Sequence, residues 1–310
     1  RPGRIDPISI ALSMLTMVPI VYAIKDFAVK GWGITPPVLF ALGLVFGWLF
    51  VRRQLRVSEP MLDMRLFSRG TFSGALLVNL LSVVALVGFL YFVTQHLQLI
   101  VGLSPLQAGL ALVPGLAMMI IAGLGVVPIS RRVSPRIVVP AALTLSAAGY
   151  VMIALLTDAE SMIELVLAFA LLGMGIGAAE TVSNELVLAS APPAKAGAAS
   201  AVSETAYEVG AVLGTAVLGG ILTAMYRVGM AVPEGVPAEA ADAARETLAG
   251  AVNVAQDLPE PIGRQLMDAA AHAFDSGVGV TAAIGAVLVV CAGIIAATTL
   301  KGSHSRRAEH

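Results

Sequence analysis

The chain has 310 residues, of which 57% are hydrophobic and 13% charged, with a mean hydropathy of +0.88; a soluble domain carries about 25% charged residues, so a water-soluble fold is excluded. A net charge of -1 without a clustered excess of Lys or Arg excludes a nucleic-acid partner. The single Cys291 excludes an intrachain disulfide, and His96, His272, His304 and His310 stand too far apart to pair as ligands, so no metal and no other cofactor is expected, and each histidine reads as a solvent or interface residue.

The chain opens on Arg1 with no charged-then-apolar leader, which reads as a fragment of a longer protein. A bilayer core of about 30 Å takes about 20 apolar residues per helix. On that measure eight spans are predicted, at 7–25, 34–51, 71–95, 106–128, 136–156, 161–189, 198–226 and 277–300. Runs such as Gly74 to Leu90 lack the alternation of barrel strands, so the fold class is an all-α membrane protein with the lipid bilayer as its first partner. Residues 1–70 form two helices and a loop, 71–300 a six-helix bundle, and 301–310 a polar tail.

The polar stretch 227–276 reads as an outer helical hairpin. Its arms are Pro237 to Val252 and Pro261 to Phe274, with Leu258-Pro259-Glu260-Pro261 between them, and its acids form a solvated face that would also gather cations. Every Lys and Arg falls outside or at the edge of a span. Fourteen lie on the side of the termini and five (Lys25, Lys30, Arg227, Arg245, Arg264) on the other, so both termini are expected in the cytoplasm and the chain in the plasma membrane. Trp32 and Trp48 fit an interfacial aromatic belt. Pro105-Leu106-Gln107-Ala108-Gly109 and Pro193-Ala194-Lys195-Ala196-Gly197 echo one another at corresponding breaks, as inverted three-helix repeats do. Gly173, Gly175 and Gly177 in the sixth span and Gly210, Gly214, Gly219 and Gly220 in the seventh are expected to let those two helices pack closely or slide.

Ionisable groups inside a membrane cost a few kcal/mol or more and mark function. Four acids qualify: Glu180 and Glu185 in the sixth span, Glu204 and Glu208 in the seventh. Glu204 and Glu208 share a helix face one turn apart, with Tyr207 beside them. A carboxylate there holds either a proton or a cation, which is the chemistry of a proton-coupled carrier of small lipophilic cations. Glu185 and Glu204 lie near helix ends, where snorkelling to water is the competing role; Glu180 and Glu208 lie deeper. Glu208, assisted by Glu204 and Glu180, is expected to be the main site. Asn79, Gln95 and Gln98 of the third span either line the same cavity or bond between helices. An intramembrane enzyme would need a Ser/His pair, paired aspartates or a metal set at that depth, and the sequence offers no intramembrane Asp or metal constellation. Export of a neutral or anionic metabolite or lipid stays open, though no Lys or Arg lies within the spans to favour an anion.

Three stretches carry a family resemblance: Gly109-Leu110-Ala111-Leu112-Val113-Pro114; Arg131-Arg132-Val133-Ser134-Pro135-Arg136; and Ala191-Pro192-Pro193 through Ala196-Gly197-Ala198-Ala199-Ser200-Ala201 into Glu204-Thr205-Ala206-Tyr207-Glu208-Val209-Gly210. The chain resembles the major facilitator superfamily, specifically the fourteen-helix drug:proton antiporters of the QacA and EmrB type. The resemblance implies that the first two helices are the family's linker helices and the other six its C-terminal bundle, the N-terminal six-helix bundle being absent and so a missing partner. It implies multidrug efflux of lipophilic cations by proton antiport. It also puts Glu180, Glu204 and Glu208 on cavity-facing helices. Where some relatives carry an acid after Gly109, this chain has Met118-Met119-Ile120-Ile121, which leaves the substrate range unassigned.

Overall fold

A computed structural model describes residues 6–30, 33–155 and 162–300. Trp32, the break at 156–161 and the expected tail 301–310 lie outside them. The helices are α1 (Pro7–Lys30), α2 (Thr35–Arg56), α3 (Gly70–Gln95), α4 (Pro105–Arg132), α5 (Pro135–Leu155), α6 (Met162–Ala189), α7 (Ala196–Leu213), α8 (Gly219–Gly229), α9 (Ala238–Glu246), α10 (Leu248–Gln256) and α11 (Glu260–Thr299). A π-helical turn at Gly214–Leu218 joins α7 to α8, and another at His96–Ile100 extends α3. Eight of the resulting rods are long and apolar enough to cross a membrane.

Local chemistry explains the starts. The two echoed Pro-x-x-x-Gly segments both open helices. Ser104 accepts the Gln107 amide at 3.2 Å while the Gln107 side chain accepts the Ser104 amide at 3.0 Å, a reciprocal cap that sets Pro105 at the first position of α4. Pro193 opens a 3-10 turn ahead of α7. Pro19, Pro114, Pro128 and Pro140 lie inside helices, as spans supported by neighbours allow.

The spans α3, α5, α6, α7–α8 and α11 pack around a core of aromatic rings. Phe89 meets Phe92, Tyr150 and Phe169, and the Tyr150 hydroxyl donates to the Ala85 carbonyl. The glycines act differently from the expectation. Gly173 and Gly177, one turn apart, abut Gly115 and Met119 of α4, and Gly175 abuts Ala142 and Ser146 of α5. Residues two apart on a helix point to nearly opposite sides, so this run admits two different neighbours, neither of them α7. Gly210 and Gly214 admit α3 instead, at Leu80, Val83 and Val84.

The α1–α2 pair is an antiparallel hairpin. Thr16 and Ile20 fill the space over Gly43 and Gly47. At its open end Arg53 holds Asp6 through two bonds of 2.9 and 3.0 Å, Ser9 donates to Asp6 at 2.6 Å, Gln54 donates to Ser9 at 2.7 Å, and Leu62 N donates to Gln54 at 3.1 Å. The Arg53 guanidinium, then the Ser9 hydroxyl, hold the Asp6 carboxyl well below the usual carboxylate range. Against the bundle, α1 packs chiefly on α7 and the π turn.

The same end carries Arg52, Arg56, Arg65, Arg69, Arg131, Arg132, Arg136 and Lys195, tied together where Arg69 reaches the Ser190 carbonyl and Arg136 the Ala297 carbonyl. At the opposite end the segment expected as a two-armed hairpin is built otherwise. The first arm breaks at Thr247, whose side chain caps α10, and the second is the start of α11, which runs unbroken into the last span. No proline follows Pro261 within α11, so no hinge forms between arm and span. The Tyr226 hydroxyl donates to the Ala244 carbonyl at 2.7 Å and Arg227 Nε to the Glu246 carbonyl at 3.1 Å, seating α9 on α8. His96, expected in a solvent or interface position, is 5% exposed, because α10 and α11 cover the end of α3; its Nδ1 lies 3.7 Å from Asp275.

Candidate functional site

The depth of each polar residue follows from the helix registers. Phe89 of α3 stacks on Phe169 of α6 at 5.2 Å. These helices run antiparallel, so ten residues back along α3 and ten forward along α6 reach Asn79 and Ala179, which puts Glu180 level with Asn79. On α7, Gly210 meets Leu80 and Val83 of the parallel α3, which puts Tyr207 at the same level. A third tie agrees: Ser203 donates to the Asn184 side-chain oxygen at 2.6 Å, and four residues along each antiparallel helix pairs Tyr207 with Glu180.

One polar layer therefore crosses α3, α6 and α7 about a third of the way along the spans from the Arg-rich end. Asn79, Glu180 and Tyr207 lie in it, and Tyr207 is within electrostatic range of Glu180 and Glu204. Ser82 is one turn to one side and Ser183 one turn to the other. Both amide atoms of Asn79, one carboxylate oxygen of Glu180 and the hydroxyls of Ser82 and Ser183 are buried without a hydrogen-bond partner among the described residues. Buried polar groups are ordinarily paired, and each unpaired one costs about 1–3 kcal/mol. Helix packing alone does not account for five such atoms at neighbouring depths.

Glu204 and Glu208 are exposed on the other face of α7 and line a groove of about 490 Å³ shared with Tyr22 and Lys25 of α1. Of the three acids expected to act together, the structure thus encloses Glu180 and turns Glu204 and Glu208 toward the hairpin. Glu185 is exposed near the end of α6. Gln95 and Gln98 stand at the far end of α3, about 24 Å or more from Asn79 by helical rise, and do not join the layer. The sequence reading left out Ser82, Ser183, Asn184, Ser203 and Lys25. Ser183 and Asn184 follow Glu180 at helical spacing, a signal present in the sequence. Lys25, assigned to a loop edge, lies within α1, which runs on to Lys30. Among the described residues no His/Cys/Asp/Glu group is arranged to hold a metal ion.

A bundle of membrane-length apolar helices around a buried polar layer defines a multi-pass membrane protein. The chain belongs to the Major Facilitator Superfamily, whose model matches residues 8–215. It is 48% identical to the multidrug efflux pump LfrA of Mycolicibacterium smegmatis over 95% of its length and 58% of that protein's. It is 32% identical to the methyl viologen resistance protein SmvA of Salmonella typhimurium over 88% of its length and 56% of that protein's. The chain thus spans little more than half the length of these curated relatives. Among solved structures it resembles a bacterial homolog to the human lysosomal transporter Spinster, in an inward-facing and occupied conformation, with a TM-score of 0.56 at 16% identity over 94% of this chain and 65% of that one. That likeness concerns the fold.

Proposed function

We propose that the chain is the C-terminal portion of a plasma-membrane drug exporter of the fourteen-helix type, which expels lipophilic cations in exchange for protons. In this reading α1 and α2 are the linker helices, the other six spans form the C-terminal bundle, and both termini are cytoplasmic. The Arg-rich end supports that orientation. A second six-helix bundle completes the cavity. The surface of α4 supports this, since Leu106, Leu110, Ile120 and Leu124 form an uncovered apolar row that a second bundle would cover.

The observation that carries the reading is the layer of Asn79, Glu180 and Tyr207 with its unpaired carboxylate oxygen. A carboxylate enclosed by apolar helices releases its proton most readily when a cation replaces it, and that exchange couples the two flows. Tyr207 and Asn79 supply a hydroxyl and an amide to orient either occupant. Glu204 and Glu208, a turn apart on the hairpin-facing side of α7, extend the acidic path. The names of the relatives agree with this chemistry, since methyl viologen carries two fixed positive charges.

The test joins this chain to the first six helices of the Mycolicibacterium smegmatis relative and follows ethidium efflux and coupled proton movement in everted vesicles. Glu180→Gln and Glu208→Gln are each expected to abolish substrate-induced proton release at normal expression, and Glu185→Gln to change little. Unaltered pH-dependent efflux in both Glu180→Gln and Glu208→Gln would assign coupling to the other half.

A further inference from the structure

The α1–α2 hairpin does not lie flush on the bundle, and between it and α3 and α7 runs a groove of about 750 Å³. No described residue lining it is ionisable, and its hydroxyls are those of Ser13, Thr16 and Thr205. Ser13 donates to the Ile10 carbonyl and Thr16 to the Leu12 carbonyl, each at 2.7 Å, so both are turned back onto their own helix and the wall favours a hydrocarbon occupant. The groove is about one leaflet deep. Its lining runs from Gly197 to Val209 on α7, about 18 Å by helical rise, against about 15 Å of hydrocarbon in half a bilayer core. On the other walls it reaches Val18 of α1 and Leu80 of α3, each about 16 Å from the start of its helix. Met14, Val18 and Leu77 are exposed along it, so the groove opens sideways to the bilayer.

Its shallow end lies at the Arg-rich end of the molecule, where Met61, Met64 and Phe67 of the segment joining α2 to α3 form the wall. Arg65 stands exposed between Met64 and Phe67, and half-buried Lys195 lies two residues ahead of Gly197. Of the cations at this end, Arg53 is paired with Asp6, Arg52 lies over the Trp48 ring, and Arg69 and Arg136 reach carbonyls. The side chains of Arg65 and Lys195 hold no partner among the described residues. Nine Lys and Arg there face four acids, Asp6, Glu59, Asp63 and Glu185, which leaves a positive excess.

We propose that the groove binds an anionic phospholipid, with one acyl chain between hairpin and bundle and the phosphate against Arg65 and Lys195. Arginine holds a phosphate through paired N–H bonds, and basic pockets between spans at this level select anionic headgroups. A zwitterionic lipid offers the same chain but carries a further positive charge into the excess. The lipid completes a contact that the side chains of the hairpin leave open. This site is separate from the Asn79–Glu180–Tyr207 layer and from Glu204 and Glu208, and it does not depend on what the protein exports.

The test uses the 310-residue chain in phosphatidylcholine nanodiscs doped with a phosphatidylglycerol that carries a photoreactive group midway along one acyl chain. Adducts are expected on the α1 peptide of Met14 to Val18 and on the α7 peptide around Ala201. They should fall when unlabelled phosphatidylglycerol is added and be unaffected by inorganic phosphate, and a phosphatidylcholine probe with the same tail should label about ten-fold less. Arg65→Gln/Lys195→Gln should remove that preference, whereas Arg131→Gln/Arg132→Gln, the same loss of charge elsewhere on that end, should keep it. Ala201→Trp should abolish the adducts by filling the groove, and circular dichroism checks that each variant is folded. Equal labelling by the two probes, or a preference unchanged in Arg65→Gln/Lys195→Gln, would reduce the groove to a non-selective lipid furrow and overturn the proposal. Absence of adducts would overturn it as well, and suppression by inorganic phosphate would assign the two cations to a free anion instead. Efflux independent of Glu180 would remove the exporter reading without altering this binding measurement.

Discussion

At Gly175 a methyl group would meet the Ser146 hydroxyl and two backbone atoms, the Ala142 carbonyl oxygen and the Ser146 amide nitrogen, and the backbone atoms cannot retreat without moving α5. Overpacking of this kind costs about 1–3 kcal/mol, so Gly175→Val should lower the melting temperature of the detergent-solubilised chain distinctly. Ser203→Ala removes the 2.6 Å bond to Asn184, yet such bonds inside membranes average about 0.6 kcal/mol, and its melt should shift less. The opposite ranking would mean that polar pairing, rather than close helix approach, holds α6 in place. At the open end of the hairpin the Asp6 pair responds to pH. Its folded-state affinity for a proton is depressed by Arg53 and Ser9. Its stabilisation is therefore complete above the ordinary carboxylate pKa of about 4 and is lost only as pH falls through the lower folded value. Asp6→Asn should melt earlier than wild type at pH 7 and pH 5, and the two curves should converge only in stronger acid. Convergence by pH 5 would show that the pair contributes nothing specific.

Among the elements, α9 and α10 depend on the bundle beneath them. A nine-residue helix is too short to be stable alone, and these two are held by Tyr226, Arg227 and the buried side chains of Leu248, Ala251, Leu266 and Ala270. Leu266 is fully buried on α11, and a Leu→Ala change in such a core costs about 2–5 kcal/mol. The expected result of Leu266→Ala is local: faster proteolytic cleavage around Thr247 and Asp257 at the capped ends of α10, with the spans intact. Loss of the whole fold instead would make the outer layer part of the bundle's core. The π turn at Gly214–Leu218 also has a local cause. Gly214 and Leu218 are both buried, with Leu218 against Gly88, so the extra residue per turn keeps α8 in register with α3 after α7 has packed through Gly210.

For the whole molecule, orientation and completeness are the testable properties. With native Cys291 replaced by Ser, a cysteine at Asp257 should react with an impermeant maleimide from outside intact cells, and one at Ser134 only after permeabilisation; the reverse would invert the molecule in the membrane. Because the apolar row of α4 is left uncovered, the reconstituted chain alone is expected to show no proton-driven dye efflux. Efflux from it would make a single bundle sufficient.

Much of this was legible in the sequence because the bilayer imposes a simple rule. Twenty apolar residues free of charge favour a helix across the bilayer, so the eight spans follow from hydropathy, and the unequal division of Lys and Arg is read directly from their positions between spans. Glu180, Asn79 and Tyr207 were likewise visible as polar groups in apolar runs. Their meeting at one depth was not, because it depends on helix registers fixed by the Phe89–Phe169 stack and by Gly210 against α3, which no local pattern encodes. Nor does helical spacing reveal that Gly173, Gly175 and Gly177 divide between α4 and α5, or that Glu204 and Glu208 turn from Glu180 toward Lys25. Apolar periodicity says that a helix is buried in something; which neighbour each face receives is decided by the packing of the entire bundle.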